Sequence, residues 1–127
     1  MDDNLINDLT EAVIGAALDV HKTLGPGYLE SVYEKALCVE LNQRRIPFER
    51  QYGFALTYKG TQIGRGRLDF LVDERLIIEL KAVDKLIPLH SAQVISYLKA
   101  LDLNWGLLMN FNTPLLKHGI KRIVLTN

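Results

Sequence analysis

With 127 residues, 48% of them hydrophobic, the chain is long enough to form one domain with a buried core. Fifteen basic and fifteen acidic side chains cancel, which argues against a global attraction to nucleic acid or membrane and leaves room only for a local basic patch. The single cysteine, Cys38, excludes an intrachain disulfide or a cysteine-based metal site and reads as a core residue of a cytoplasmic protein.

The opening "MDDNLINDLT" is acidic and carries no signal-peptide apolar block, and no run reaches membrane-spanning length. A cytoplasmic protein without membrane contact is expected. No repeat or linker divides residues 1–127, so a single domain is expected over all of them. Leu5, Leu9, Val13, Ala16, Ala17, Val20 and Leu24 recur at helical spacing and predict an amphipathic helix over 4–24. "GPG" at 25–27 stops it, with Gly25 suited to the left-handed cap and Pro26 unable to continue. A second helix follows over 28–44, its apolar stripe formed by Leu29, Val32, Tyr33, Ala36, Leu37 and Leu41.

The period then changes. Tyr52, Phe54, Leu56 and Tyr58 alternate with smaller residues, and Lys59-Gly60 supplies a turn. Strands are expected over 67–72 and 76–83, around a turn at Glu74. Pro88 suits the first turn of a helix running to Asp102, and strands are expected at 105–111 and 120–125. Short turns make the first strands antiparallel neighbours, whereas a helical crossover permits the next to lie parallel. The fold class is α/β, a mixed sheet flanked by helices.

One stretch stands out: "GRGRLDFLVDERLIIELKAV", residues 64–83, sets Asp69, Glu79 and Lys81 inside apolar runs. Alternation puts Ile77, Glu79, Lys81 and Val83 on one face, and Arg67, Asp69 and Leu71 on a face opposite Leu68, Phe70 and Val72. A turn centred on Glu74 sets Asp69 opposite Glu79, with Cβ atoms about 5 Å apart. Two carboxylates so close repel unless one is protonated or a cation bridges them. Mg²⁺ or Mn²⁺ suits such a pair and would serve phosphate chemistry, with Lys81 near the attacking water. A structural ion pair on a half-exposed sheet face is the other reading, and spacing does not separate the two.

Further residues extend the pattern. "GRLD", "ELK" and the "QVISY" of Gln93 and Tyr97 resemble the PD-(D/E)xK nuclease superfamily, in the branch found in bacterial recombination exonucleases. Gly27, Glu30 and Tyr33 stand at G-x-x-E-x-x-Y spacing. Together with "IELKAV", "PLHSAQVISYLKAL" and "GLLMNFNTPLLKHGIKRIV", they are similar to the small bacterial GxxExxY family over nearly the whole chain. The resemblance implies a restriction-endonuclease-like fold of helix, three antiparallel strands, helix and parallel strand. It implies Asp69, Glu79 and the Leu80 carbonyl as ligands of Mg²⁺ or Mn²⁺, with Glu30 reaching the metal directly or through water. Lys81 would position water, and Gln93 and Tyr97 would contact substrate or brace the carboxylates. Leu68 stands where the superfamily's name-giving proline would be.

The implied activity is phosphodiester hydrolysis of DNA or RNA. The alternative is a catalytically silent module that keeps the fold for nucleic-acid or protein binding. A homodimer or a protein partner is one way to supply a binding surface that the neutral charge does not. His90 shares a helix flank with Gln93 and Tyr97 and is a candidate to line the site. Arg44, Arg45, Arg50, Lys59, Arg65 and Arg67 are candidates for a phosphate-facing rim, against the plainer reading of solvated charge. By position alone Glu30 is a first-turn helix acid. His21, Tyr33 and Trp105 read as core residues, and Gly64 and Gly66 as a bulge or a close backbone approach.

Overall fold

The computed structural model describes residues 3–126, so Met1, Asp2 and Asn127 of the expected domain lie outside the described residues. Helices α1 (Asp3–Leu24) and α2 (Glu30–Gln43) precede strands β1 (Phe48–Tyr58), β2 (Thr61–Val72) and β3 (Leu76–Lys81). Helix α3 (Pro88–Leu101), strand β4 (Trp105–Asn110), a 3-10 turn (Leu116–Gly119) and strand β5 (Ile120–Val124) complete the chain. The sheet order is β1-β2-β3-β4-β5, antiparallel except for the parallel β3–β4 pair that α3 connects. This is the mixed α/β sheet that the element order implies. No helix among the described residues is long and apolar enough to cross a membrane.

Two apolar layers sandwich the sheet. On one face α1 and α2 bury Val13, Ala16, Ala17, Tyr33 and Leu37 against Phe70, Ile78, Leu80 and Leu107. On the other, α3 buries Val94 and Leu98 against Leu68, Leu71, Ile77 and Leu108. The loop between α1 and α2 is fastened by Tyr33, whose ring stacks on Phe111 at 4.7 Å. Its hydroxyl donates to the Gly25 carbonyl at 2.6 Å and accepts the Tyr28 amide at 3.1 Å. His21 is likewise structural, buried with Nε2 3.1 Å from the Phe111 carbonyl oxygen.

The structure corrects several expectations. Strand β2 is continuous from Thr61, because the β1–β2 hairpin is long enough to pair throughout. Strand β3 ends at Lys81 rather than Val83, since the Val83 backbone bonds to the Asn110 side chain instead of a strand. The helical stripes are rotated: Ile6 is buried while Leu5, Leu29 and Val32 are exposed. Leu68 does not share a face with Phe70 and Val72, for it packs with Leu71 and Ile77 under α3. The hairpin changes sides between these residues, where Gln51 adopts φ 53° and the Cα register passes from Arg50↔Phe70 to Tyr52↔Leu68. Strict alternation cannot hold across such a twist.

Both glycine readings have a counterpart. Gly64 pairs with Leu56, beside the register shift between Leu56 and Thr57. Gly66 lies under the buried Phe54 ring, and an added Cβ would stand 2.3 Å from its Cζ. Gly66→Ala is therefore expected to destabilise the protein by about 1–3 kcal/mol, the usual range for overpacking a core. Urea unfolding of the variant beside wild type measures it, and an unchanged midpoint would mean the ring moves aside freely.

Candidate active site

The β2–β3 turn, with Asp73 and Glu74 both at positive φ, fixes the register Val72↔Leu76, Leu71↔Ile77 and Phe70↔Ile78. The next positions in that register are Asp69 and Glu79, but the Cα ladder stops before them. Asp69 Oδ2 accepts the Leu80 amide at 2.8 Å, so a side chain takes the place of the next main-chain bond. The N–H and C=O of one strand residue lie along the same strand edge. The Leu80 carbonyl thus faces the same fork as its amide, whereas the Lys81 carbonyl faces β4, accepting the Phe111 amide at 2.8 Å.

An open cleft of about 650 Å³ occupies this fork, lined by residues from both helical layers. Glu30, Ser31 and Glu34 come from α2, Arg67, Asp69, Glu79 and Lys81 from β2 and β3, and Gln93 and Tyr97 from α3. Arg50 and Gln51 of β1 complete it. Glu30 begins α2 because the glycine-rich turn ends there, with Gly27 at φ 105° three residues before it. In the G-x-x-E-x-x-Y run, Gly27 therefore makes the turn, Glu30 enters the cleft and Tyr33 holds the loop.

Glu79 is the unusual member. It is 5% exposed, and its Oε1 has no hydrogen-bond partner among the described residues. Loss of solvation, then the hydrogen bond and charge of Asp69, push its pKa up to about 9, with Lys81 acting in opposition. Burial, followed by the Asp69 charge, also raises the Glu30 pKa. Burial and then Glu79 raise that of Tyr97, whose ring meets Phe54 edge-on at 5.4 Å. No three of the described His, Cys, Asp and Glu side chains form a ready-made metal cage. The fork instead offers two carboxyl groups, one with an orphaned buried oxygen, and a backbone carbonyl on the same edge.

A family model of the PD-(D/E)XK nuclease superfamily matches residues 7–123. The chain belongs to this superfamily. No significant match to a curated protein or to a solved structure accompanies it. The five-stranded sheet with its three helices is consistent with a restriction-endonuclease-like PD-(D/E)XK fold. Glu79 and Lys81 of β3 both line the cleft.

The sequence reading of this candidate site needs two corrections. His90 does not line the cleft; its Nδ1 turns back to accept the Ile87 amide at 3.1 Å, capping α3. Arg44 is no phosphate rim, because it lies against Gly15 and pairs with Asp19 and Glu40, tying α2 to α1. Ser31, Glu34 and Gln51 escaped the sequence reading. Glu34 is 7% exposed and accepts Arg50 Nε at 2.6 Å and the Gln51 amide group. Its one available signal was its place one turn after Glu30 on the same helix flank.

The Glu79 environment gives a pH dependence. The folded state holds this proton more tightly than the unfolded chain, so between pH 4.5 and about 9 each rise in pH favours unfolding. The cation-free protein is expected to lose stability steadily as the pH rises through that window. Glu79→Gln, which cannot ionise, should flatten the profile, as chemical denaturation at a series of pH values would show. Parallel profiles for the two proteins would place the dependence elsewhere.

Proposed function

We propose that this protein is a divalent-cation-dependent phosphodiester hydrolase acting on DNA or RNA. The observation that carries the reading is the buried, partnerless Oε1 of Glu79 beside Asp69, at a fork that also exposes Lys81. A carboxyl so placed is unfavourable in a scaffold and appropriate in a cation site. Asp69, Glu79 and the Leu80 carbonyl would hold Mg²⁺ or Mn²⁺, with Glu30 at the mouth reaching it directly or through water, and water completes the shell such ions prefer. The cation supplies charge stabilisation at the phosphate and makes water more acidic.

The chain's own groups do the rest. Lys81 donates hydrogen bonds to the attacking water and holds it beside the phosphate. Gln93, exposed on α3, contacts the substrate backbone, while Tyr97, one turn further along the same helix, braces the carboxyl pair. Occupancy by a cation also lowers the pKa of Glu79, because a positive charge favours its ionised form.

Two measurements test this reading. Cleavage of labelled single- and double-stranded DNA and RNA in Mn²⁺ identifies the activity and its substrate class. A cation bound to the native state should raise the melting temperature, by an amount equivalent to about 2.7 kcal/mol at one hundred times its Kd. The rise should vanish in Asp69→Ala. No cleavage of any substrate, with equal melting shifts in the two proteins, would favour a nuclease-fold binding module without turnover.

A further inference from the structure

The cleft holds two arginines of different standing. Arg50 is committed to Glu34, through a 2.6 Å ion pair, and the hydrogen bond raises its pKa. Arg67 lines the same cleft and has no hydrogen bond or ion pair among the described residues. Arg65, likewise unpaired among them, precedes it by two positions on β2.

The register places these two guanidinium-bearing residues side by side. Arg67 pairs with Gly53 and Arg65 with Ala55, and all four are exposed. Phe54 and Gly66 fill the other face. The Arg65 Nη2 lies 3.3 Å from where a Gly53 Cβ would be. Its guanidinium therefore reaches across the site directly opposite Arg67, and the missing side chain at Gly53 makes room for it. Two like charges held on one exposed face repel, and an anion offsets that repulsion. Residues two apart on a strand are about 6.6 Å apart, close to the separation of successive phosphates in a polynucleotide.

Resting on the nuclease reading above, we propose that Arg67 and Arg65 form a two-point phosphate track. It leads out of the carboxylate cleft along the outer β1–β2 hairpin and grips consecutive backbone phosphates of the substrate strand. Arg50 has a different role: it is the internal counter-ion of Glu34 and fixes the wall of the cleft. The track makes the protein a reader of the polynucleotide backbone, indifferent to base sequence, on the side of the scissile bond that faces the hairpin tip.

The test is the salt dependence of binding. Fluorescein-labelled single-stranded and duplex oligonucleotides would be titrated by fluorescence anisotropy, without divalent cations, at several KCl concentrations. Wild type, Arg65→Ala, Arg67→Ala, the double variant, Arg67→Lys and the remote Arg122→Ala would be compared. Each track alanine should weaken binding about tenfold for every base sequence and lower the salt slope by about one, the double variant by about two. Arg67→Lys should recover the slope but not the full affinity, because lysine lacks the two-pronged grip. In Mn²⁺, the track variants should raise KM with kcat little changed. Slopes equal to wild type, or an equal loss in Arg122→Ala, would overturn the track while leaving the nuclease reading intact. A wild-type protein that neither binds nor cleaves any oligonucleotide would remove the nuclease reading and the track with it.

Discussion

Lys81→Ala and Glu79→Ala are each expected to reduce Mn²⁺-dependent cleavage by about 10³-fold, for different reasons. Lys81 ends β3, and the hydrogen bond from the Phe111 amide to its carbonyl fixes its backbone, so alanine there removes a positioned amine without disturbing the sheet. Glu79→Ala removes half of the carboxyl pair and should abolish the cation-induced rise in melting temperature, which Lys81→Ala should leave in place. The two variants thus separate holding the cation from using it. Lys81→Arg is expected to restore little, because the bulky guanidinium does not reproduce a compact ammonium. Single-turnover assays on proteins matched for melting behaviour would measure the losses. Cleavage within tenfold of wild type in either variant would move the chemistry away from β3.

Asn110→Ala is expected to destabilise the protein by about 3 kcal/mol, with a fall in melting temperature of about 10 °C. Asn110 is 1% exposed at the end of β4. Its Nδ2 donates to the Val83 carbonyl at 2.8 Å, while its Oδ1 accepts the Val83 amide at 3.1 Å and the Asn112 amide at 3.2 Å. One amide side chain thus satisfies three backbone groups in the segments that leave β3 and β4. Each lost bond removes about 1 kcal/mol, and the groups left behind have no adjacent strand to take them. Asn110→Asp keeps both accepted bonds but sets a buried carboxylate oxygen against the Val83 carbonyl, so near neutral pH its loss should be at least as large. Guanidinium denaturation would measure all three proteins. A loss below 1 kcal/mol in Asn110→Ala would show that water readily replaces the side chain. Because the clamp closes two residues beyond Lys81, the alanine variant should also lower cleavage at temperatures where it remains folded.

Much of the site was legible because its residues obey local rules. The turn centred on Glu74 and the period of a strand bring Asp69, Glu79 and Lys81 to one cleft, and the structure has that register. Glu30 was legible through its distance from Gly27 and Tyr33, and Gln93 and Tyr97 through a single helical turn. The misreadings have physical causes of another kind. His90 has the right helical phase, but a side-chain rotation turns its ring to the Ile87 amide. Leu68 has the right strand phase, yet the hairpin twists at Gln51 and gives it to the opposite layer. Glu34 resembles any helix acid until β1 brings Arg50 and Gln51 to it from sixteen and seventeen residues away.

By itself, the sequence determined the elements and their order, since periodicity, caps and turn residues act over a few neighbouring positions. It also determined which side chains of β3 share a face, and the motifs that tie the chain to a nuclease superfamily. Only the tertiary structure decided that β2 and β3 part after Phe70 and Ile78, and that α2 and α3, on opposite layers, line the one opening between them. It alone distinguished the arginine held by Glu34 from the two left facing solvent. Partnership and desolvation depend on residues distant in the chain, and those distances close only when the sheet and its two helical layers pack together.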